Sequence, residues 1–116
     1  MILNAEELAK AICAAAADKK AHDIVRMDMT KLTPTTDYFV VASAQTATQV
    51  RAIADNIEEK LAEAGVHFLH KEGYREGEWV LFDYGDVVAH IFRQEAREYY
   101  ALEHLWADAP LVPYED

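Results

Sequence analysis

The sequence predicts an α/β fold of the α+β kind, a single mixed sheet of about five strands with its helices mainly on one face. Three observations predict it. Two segments repeat apolar residues at helical spacing, several short runs alternate or are rich in aromatic and β-branched residues, and the order that results is α, β, β, α, β, β, β, α. At 116 residues the chain fits a single domain, 1–109, followed by a C-terminal tail, 110–116, that holds two of the three prolines and reads as loosely attached.

Asn4 followed by Glu7 has the pattern of a capping box, with Asn in the place of Ser or Thr. Leu8, Ile12 and Ala16 then repeat every fourth residue, with Ala5 and Ala9 beside them, so a short amphipathic helix ends near Asp18 to Lys20. DIVRMDM (23–29) alternates as a strand does, KLTPTTD (31–37) turns at Pro34, and DYFVVAS (37–43) is a second strand. Thr46 or Thr48 can cap the longest helix, whose apolar face is Val50, Ile53, Ala54, Ile57, Leu61 and Ala64, and Gly65 stops it. VHFLH (66–70) reads as a third strand, and residues 72–77 as a loop. The stretch WVLFDYGDVVAHIF (79–92) is a hairpin with Tyr84-Gly85 at its tip, and a last helix runs from Gln94 to Leu105.

The net charge is −10 and uneven, since residues 61–116 contain twelve acidic and four basic residues. Free nucleic acid is bound largely through Lys and Arg on phosphates, and that footprint is missing. Such acidity suits a basic protein partner or serves solubility alone. No apolar run approaches the ~20 residues of a membrane span. The N-terminus lacks the basic and apolar regions of a signal peptide, and one cysteine, Cys13, cannot form a disulfide within the chain, so a reducing, cytoplasmic setting is expected. Cys13 lies on the apolar side of the first helix, the place of a small core residue.

Strand residues alternate sides, so the hairpin has two faces. Val80, Phe82, Val87, Ala89 and Ile91 form a purely apolar one, suited to lie under helices. Trp79, Leu81, Asp83, Val88, His90 and Phe92 form a mixed one. Left bare, that second face is an apolar patch edged by polar groups, the signature of a contact site, and Trp is often the residue that dominates such contacts. Covered, it is core with a satisfied histidine, and periodicity alone leaves both open. Asp83 and Asp86 flank a tight turn where Asp bonds local amides, which weakens them as metal ligands, and His67 and His70 point to opposite sides of their strand. No metal and no cofactor is expected.

DYFVVAS, QVRAIADNIEEKL, KEGYREGEWVLFDYGDVVAHIF and REYYALEHLW follow one another in this order, and together they resemble the ribosomal silencing factor, or Iojap-related, family over roughly residues 5–109. The resemblance rests on the combination of Asp37-Tyr38-Phe39, Ala52-Ile53-Ala54-Asp55, Glu72-Gly73, Trp79, Asp83-Tyr84-Gly85-Asp86, His90-Ile91-Phe92, Arg97, Tyr100 and Leu102-Glu103 with Leu105-Trp106. It implies a nucleotidyltransferase-like fold without the catalytic site, and a binding protein rather than an enzyme. Its partner would be the large ribosomal subunit, reached through ribosomal protein fourteen, where an occupant blocks joining of the small subunit and represses translation under nutrient limitation. It also implies a homodimer off the ribosome, and an alternative role in large-subunit assembly through the same surface. Carried over as contacts are Trp79, Asp83, Tyr84, Asp86 and His90, with Leu81, Phe92 and Tyr38 in support. Trp79 would be the anchor, the two acids would face Lys or Arg, and His90 would supply a hydrogen bond. The sequence departs from the family pattern at Ala44, where glycine is common, at Thr46 and Thr48 in the start of the long helix, and at Ala89. A nucleotidyltransferase activity would need clustered carboxylates for magnesium and a glycine-rich phosphate loop, and four glycines without such a loop argue against it.

Overall fold

The computed structural model describes residues 3–115. Helix α1 (Ala5–Asp18) begins at the capping box: the Glu7 amide donates to Asn4 Oδ1 at 2.8 Å, and the Asn4 amide donates to Glu7 Oε1 at 3.0 Å. Helix α2 (Ala47–Glu63) is capped by Thr46, whose hydroxyl accepts from the Gln49 amide at 3.1 Å. Its buried face is Val50, Ile53, Ala54, Asn56, Ile57 and Leu61. Ala64 falls outside it, exposed as the C-cap residue, and Gly65 takes the positive φ of +79° that ends the helix.

Among the described residues the sheet has six strands: β1 (His22–Asp28), β2 (Tyr38–Ala44), β3 (His70–Glu72), β4 (Trp79–Asp83), β5 (Val87–Arg93) and β6 (Leu111–Pro113), in the order β3-β4-β5-β2-β1-β6. It is mixed, since β2 and β5 pair in parallel at its centre and every other pair is antiparallel. The expected sheet of about five strands is short by β6. Residues 111–113, expected as a loose tail, pair with Val25, Arg26 and Met27 of β1. Pro113 is tolerated there because an edge strand has one side that needs no donor. The strand expected at 66–70 also moves: residues 66–69 are irregular, and β3 starts at His70.

Helices α1 and α2 cover one face. Val80, Phe82, Val87, Ala89 and Ile91 lie beneath them with Val40, Ala42 and Ala44, as the alternation of the hairpin requires. Each fully buried large side chain here, Phe82 and Ile91 among them, stabilises the fold by roughly 1.5–3 kcal/mol. Asn56, inside this layer, donates to the Ala15 carbonyl at 2.8 Å and ties α2 to α1. Ala44 closes β2 without a positive φ, so the absence of a glycine there costs no strain.

The other face is half covered. The helix expected at 94–105 is broken into α3 (Gln94–Tyr100) and α4 (Leu102–Leu105) by Ala101, which adopts φ +48°. Ala96 and Leu102 seat on Phe92, Val41, Val25 and Met27. Arg97 fixes the break: its guanidinium donates to both Glu103 carboxylate oxygens at 3.1 and 2.8 Å and to Ser43 Oγ at 3.1 Å. Both readings of the mixed face therefore apply, each to a different part of it.

Candidate protein-binding face

The exposed part of the mixed face is built by β4, β5 and β2, edged by the 33–36 loop and by Trp106. Antiparallel pairing sets Trp79 opposite Phe92, Leu81 opposite His90 and Asp83 opposite Val88, and the parallel register sets Val41 beside His90 and Phe39 beside Val88. Trp79, Leu81, Asp83, Val88 and Phe39 are all half-buried, so this surface is neither core nor free. Tyr100 packs tilted against Trp79 at 4.8 Å between ring centroids, and Trp79 lies 5.0 Å from Phe92. Tyr99 and Tyr100, 81% and 51% exposed, extend the aromatic surface beyond the sheet.

His90 is the organising polar group. It is 4% exposed, and its Nδ1 accepts the indole N–H of Trp79 at 3.0 Å. Indole nitrogen can only donate, so the neutral imidazole carries its proton on Nε2. That nitrogen is buried and has no hydrogen-bond partner among the described residues. Burial pulls the His90 pKa down from 6.5 to about 4, which keeps the ring neutral at physiological pH. The Phe39 ring stands against it edge-on at 4.7 Å.

Beside His90 a pocket of about 280 Å³ opens between the hairpin tip, the 33–36 loop and Trp106. Phe39, Leu81, Val88 and Trp106 give it apolar walls, Asp83 stands at its rim, and no Lys or Arg lines it. Asp83 Oδ1 accepts the Gly85 amide at 2.8 Å, the local turn bond that its position favours, and its second oxygen is left for another donor. Asp86 is exposed, while its carbonyl accepts the amides of Asp37 and Tyr38 and the Thr36 hydroxyl. Among the described residues no three His, Cys, Asp or Glu side chains gather in a group able to hold a metal.

The eight residues singled out in the sequence separate accordingly. Trp79, Leu81, Asp83 and His90 share the face, with Asp86 at its tip. Phe92 is its floor, fully buried under α3 and α4. Tyr84 and Tyr38 lie on the opposite side, packed against the layer under α1 and α2, with Tyr84 5.8 Å from Phe82. Burial raises the Tyr84 phenol pKa well above its usual value. Phe39, Val88, Trp106 and Tyr100 are members that the sequence did not select as contacts. Alternation within DYFVVAS separates Phe39 from Tyr38, but only the β2–β5 register says which of the two joins the mixed face.

The family described as ribosomal silencing factor during starvation matches residues 2–116. The ribosomal silencing factor RsfS of Bacillus subtilis is 42% identical over 110 residues, covering 95% of this chain and 93% of its own. Protein Iojap, chloroplastic, of Arabidopsis thaliana is 34% identical over 97% of this chain and 49% of its own length. A crystal structure of a Chromobacterium violaceum protein superposes with a TM-score of 0.88 at 40% identity, covering 90% of this chain and 88% of that one. One from Bacillus halodurans gives 0.82 at 37% identity, with coverages of 92% and 97%.

Proposed function

The chain belongs to the ribosomal silencing factor family, and from that premise we propose that it binds the large ribosomal subunit through ribosomal protein fourteen and sterically blocks joining of the small subunit. The family is one of regulatory factors that silence the ribosome, and the chain acts by binding rather than by catalysis. Its setting is the cytoplasm, and among the described residues no helix is long and apolar enough to cross a membrane. The observation that carries the reading is the half-open sheet face: an aromatic anchor at Trp79, an apolar pocket beside it, and acids at the hairpin tip on a chain of net charge −10. Apolar contact supplies affinity there, and the acids steer and orient a basic protein. Off the ribosome the chain forms a homodimer.

The test is subunit joining followed by sedimentation, with purified large and small subunits and the native chain beside Trp79→Ala. A central Trp anchor is worth about 2 kcal/mol or more, so its loss weakens binding by ~30-fold. Subunits held apart by the native chain and joined in the presence of the folded variant are the expected result. Binding without any effect on joining would move the role to large-subunit assembly. No binding at all refutes the proposal.

A further inference from the structure

We propose that the pocket beside His90 receives one aliphatic side chain from a basic protein segment, together with an oxygen of that segment which accepts from His90 Nε2. The inference deepens the proposed function and rests on it, since the segment belongs to the protein docked on this face.

Three observations define the occupant. The walls formed by Phe39, Leu81, Val88 and Trp106 are apolar, and about 280 Å³ has room for a side chain but not for a helix or a base pair. Trp79 fixes the His90 tautomer by donating to Nδ1, so the imidazole offers a donor at Nε2, and that donor has no acceptor among the described residues. A buried donor left unpaired is costly, and a partner that supplies the acceptor recovers that cost on binding. Asp83 at the rim and exposed Asp86 next to it, with no Lys or Arg among the lining residues, select a cationic neighbour for the inserted side chain. Nε2 has no exposed surface in the free chain, so a side chain of the pocket wall turns aside as the occupant enters. Trp79 does not line the pocket, which makes the two parts of the face separable by mutation.

The experiment measures equilibrium binding of the labelled chain to purified large ribosomal subunits, with each variant first shown by near-UV circular dichroism to be folded. Val88→Trp fills the pocket from its half-exposed wall, and affinity is expected to fall about thirtyfold or more. Val88→Ala keeps the pocket open and is expected to bind within about threefold of the native chain. His90→Asn retains an acceptor for the Trp79 indole while removing the Nε2 donor, and is expected to bind about fivefold more weakly. Native binding with undiminished binding by Val88→Trp overturns the pocket and leaves the proposed function standing. Equal losses in Val88→Trp and Val88→Ala overturn it as well, because the wall and not the space would then be read. Free ribosomal RNA that binds the native chain, and loses the chain on Val88→Trp, overturns the choice of a protein occupant. Failure of the native chain to bind any subunit refutes the proposed function and this inference together.

Discussion

Acidification isolates His90. Its pKa falls from 6.5 unfolded to about 4 folded because burial opposes the charged ring. Between those values the unfolded chain binds a proton that the folded chain refuses, so stability that is fully present above pH 6.5 is lost as the pH falls toward 4. The slope approaches about 1.4 kcal/mol per pH unit, the loss reaches about 2 kcal/mol at pH 5, and the whole window is worth roughly 3 kcal/mol. Total stabilities of such domains are about 5–15 kcal/mol, so the effect is measurable by urea unfolding at pH 7, 6 and 5. Other groups titrate over the same range, and the comparison with His90→Asn removes them. The native chain is expected to lose about 2 kcal/mol more than the variant between pH 7 and 5. Parallel pH profiles for the two proteins would falsify the assignment of a neutral, tightly buried imidazole.

Replacing Gly73 by Ala sets a Cβ 1.9 Å from the Trp79 carbonyl oxygen at φ +80°, and the urea midpoint is expected to fall by the equivalent of about 2 kcal/mol or more. The displaced backbone carries Trp79, so a pelleting assay should show weaker attachment to large subunits as well. Arg97→Ala leaves Glu103 and Ser43 without their partner and is expected to cost about 2–3 kcal/mol, below the usual loss for a buried pair because Glu103 is partly exposed. An unchanged melting temperature would show that the α3–α4 break does not depend on this clamp. Asn4→Ala dismantles the capping box and is expected to cost about 1 kcal/mol in thermal or urea unfolding. Removal of residues 111–116 strips β1 of an edge partner, and light scattering on warming should report earlier aggregation than in the full chain.

What could be read from the sequence was governed by local rules. The hairpin faces follow from a period of two, and the structure bears them out: the apolar set lies under α1 and α2 and the mixed set on the other side. The cap at Asn4, the start of α2 and its stop at Gly65 depend on neighbours a few residues away, and they too were legible. Three features were not. The side on which Tyr38 and Phe39 fall depends on the parallel register with β5, a pairing between distant segments, so nothing local tells that Phe39, and not the Tyr38 carried over from the resemblance, joins the mixed face. The break at Ala101 has no local signal, because an alanine at positive φ is disfavoured and is held there by the Arg97–Glu103 pair and the seating of Leu102. β6 was masked by Pro113 within it and Pro110 just before it, since proline discourages a strand everywhere except at an edge. Local chemistry thus set the elements, while long-range pairing decided which residues the candidate face received.

The central parallel pair also shapes how the chain comes into being. Residues 38–44 pair with β1 on one side, but on the other they find their parallel partner in residues 87–93, so the middle of the sheet closes across a long intervening segment. Such closures carry an entropic cost before any contact rewards them, and they slow folding relative to domains rich in local contacts. A chain emerging from its own ribosome N-terminus first has α1, β1, β2 and α2 in hand while β4 and β5 are still being made. Until they arrive, β2 offers an unpaired edge, and the apolar sides of both helices lack the part of their surface that β4 and β5 supply. The most vulnerable interval therefore ends when the hairpin is delivered, and the segment that bears the recognition face is also the one whose arrival closes the centre of the sheet.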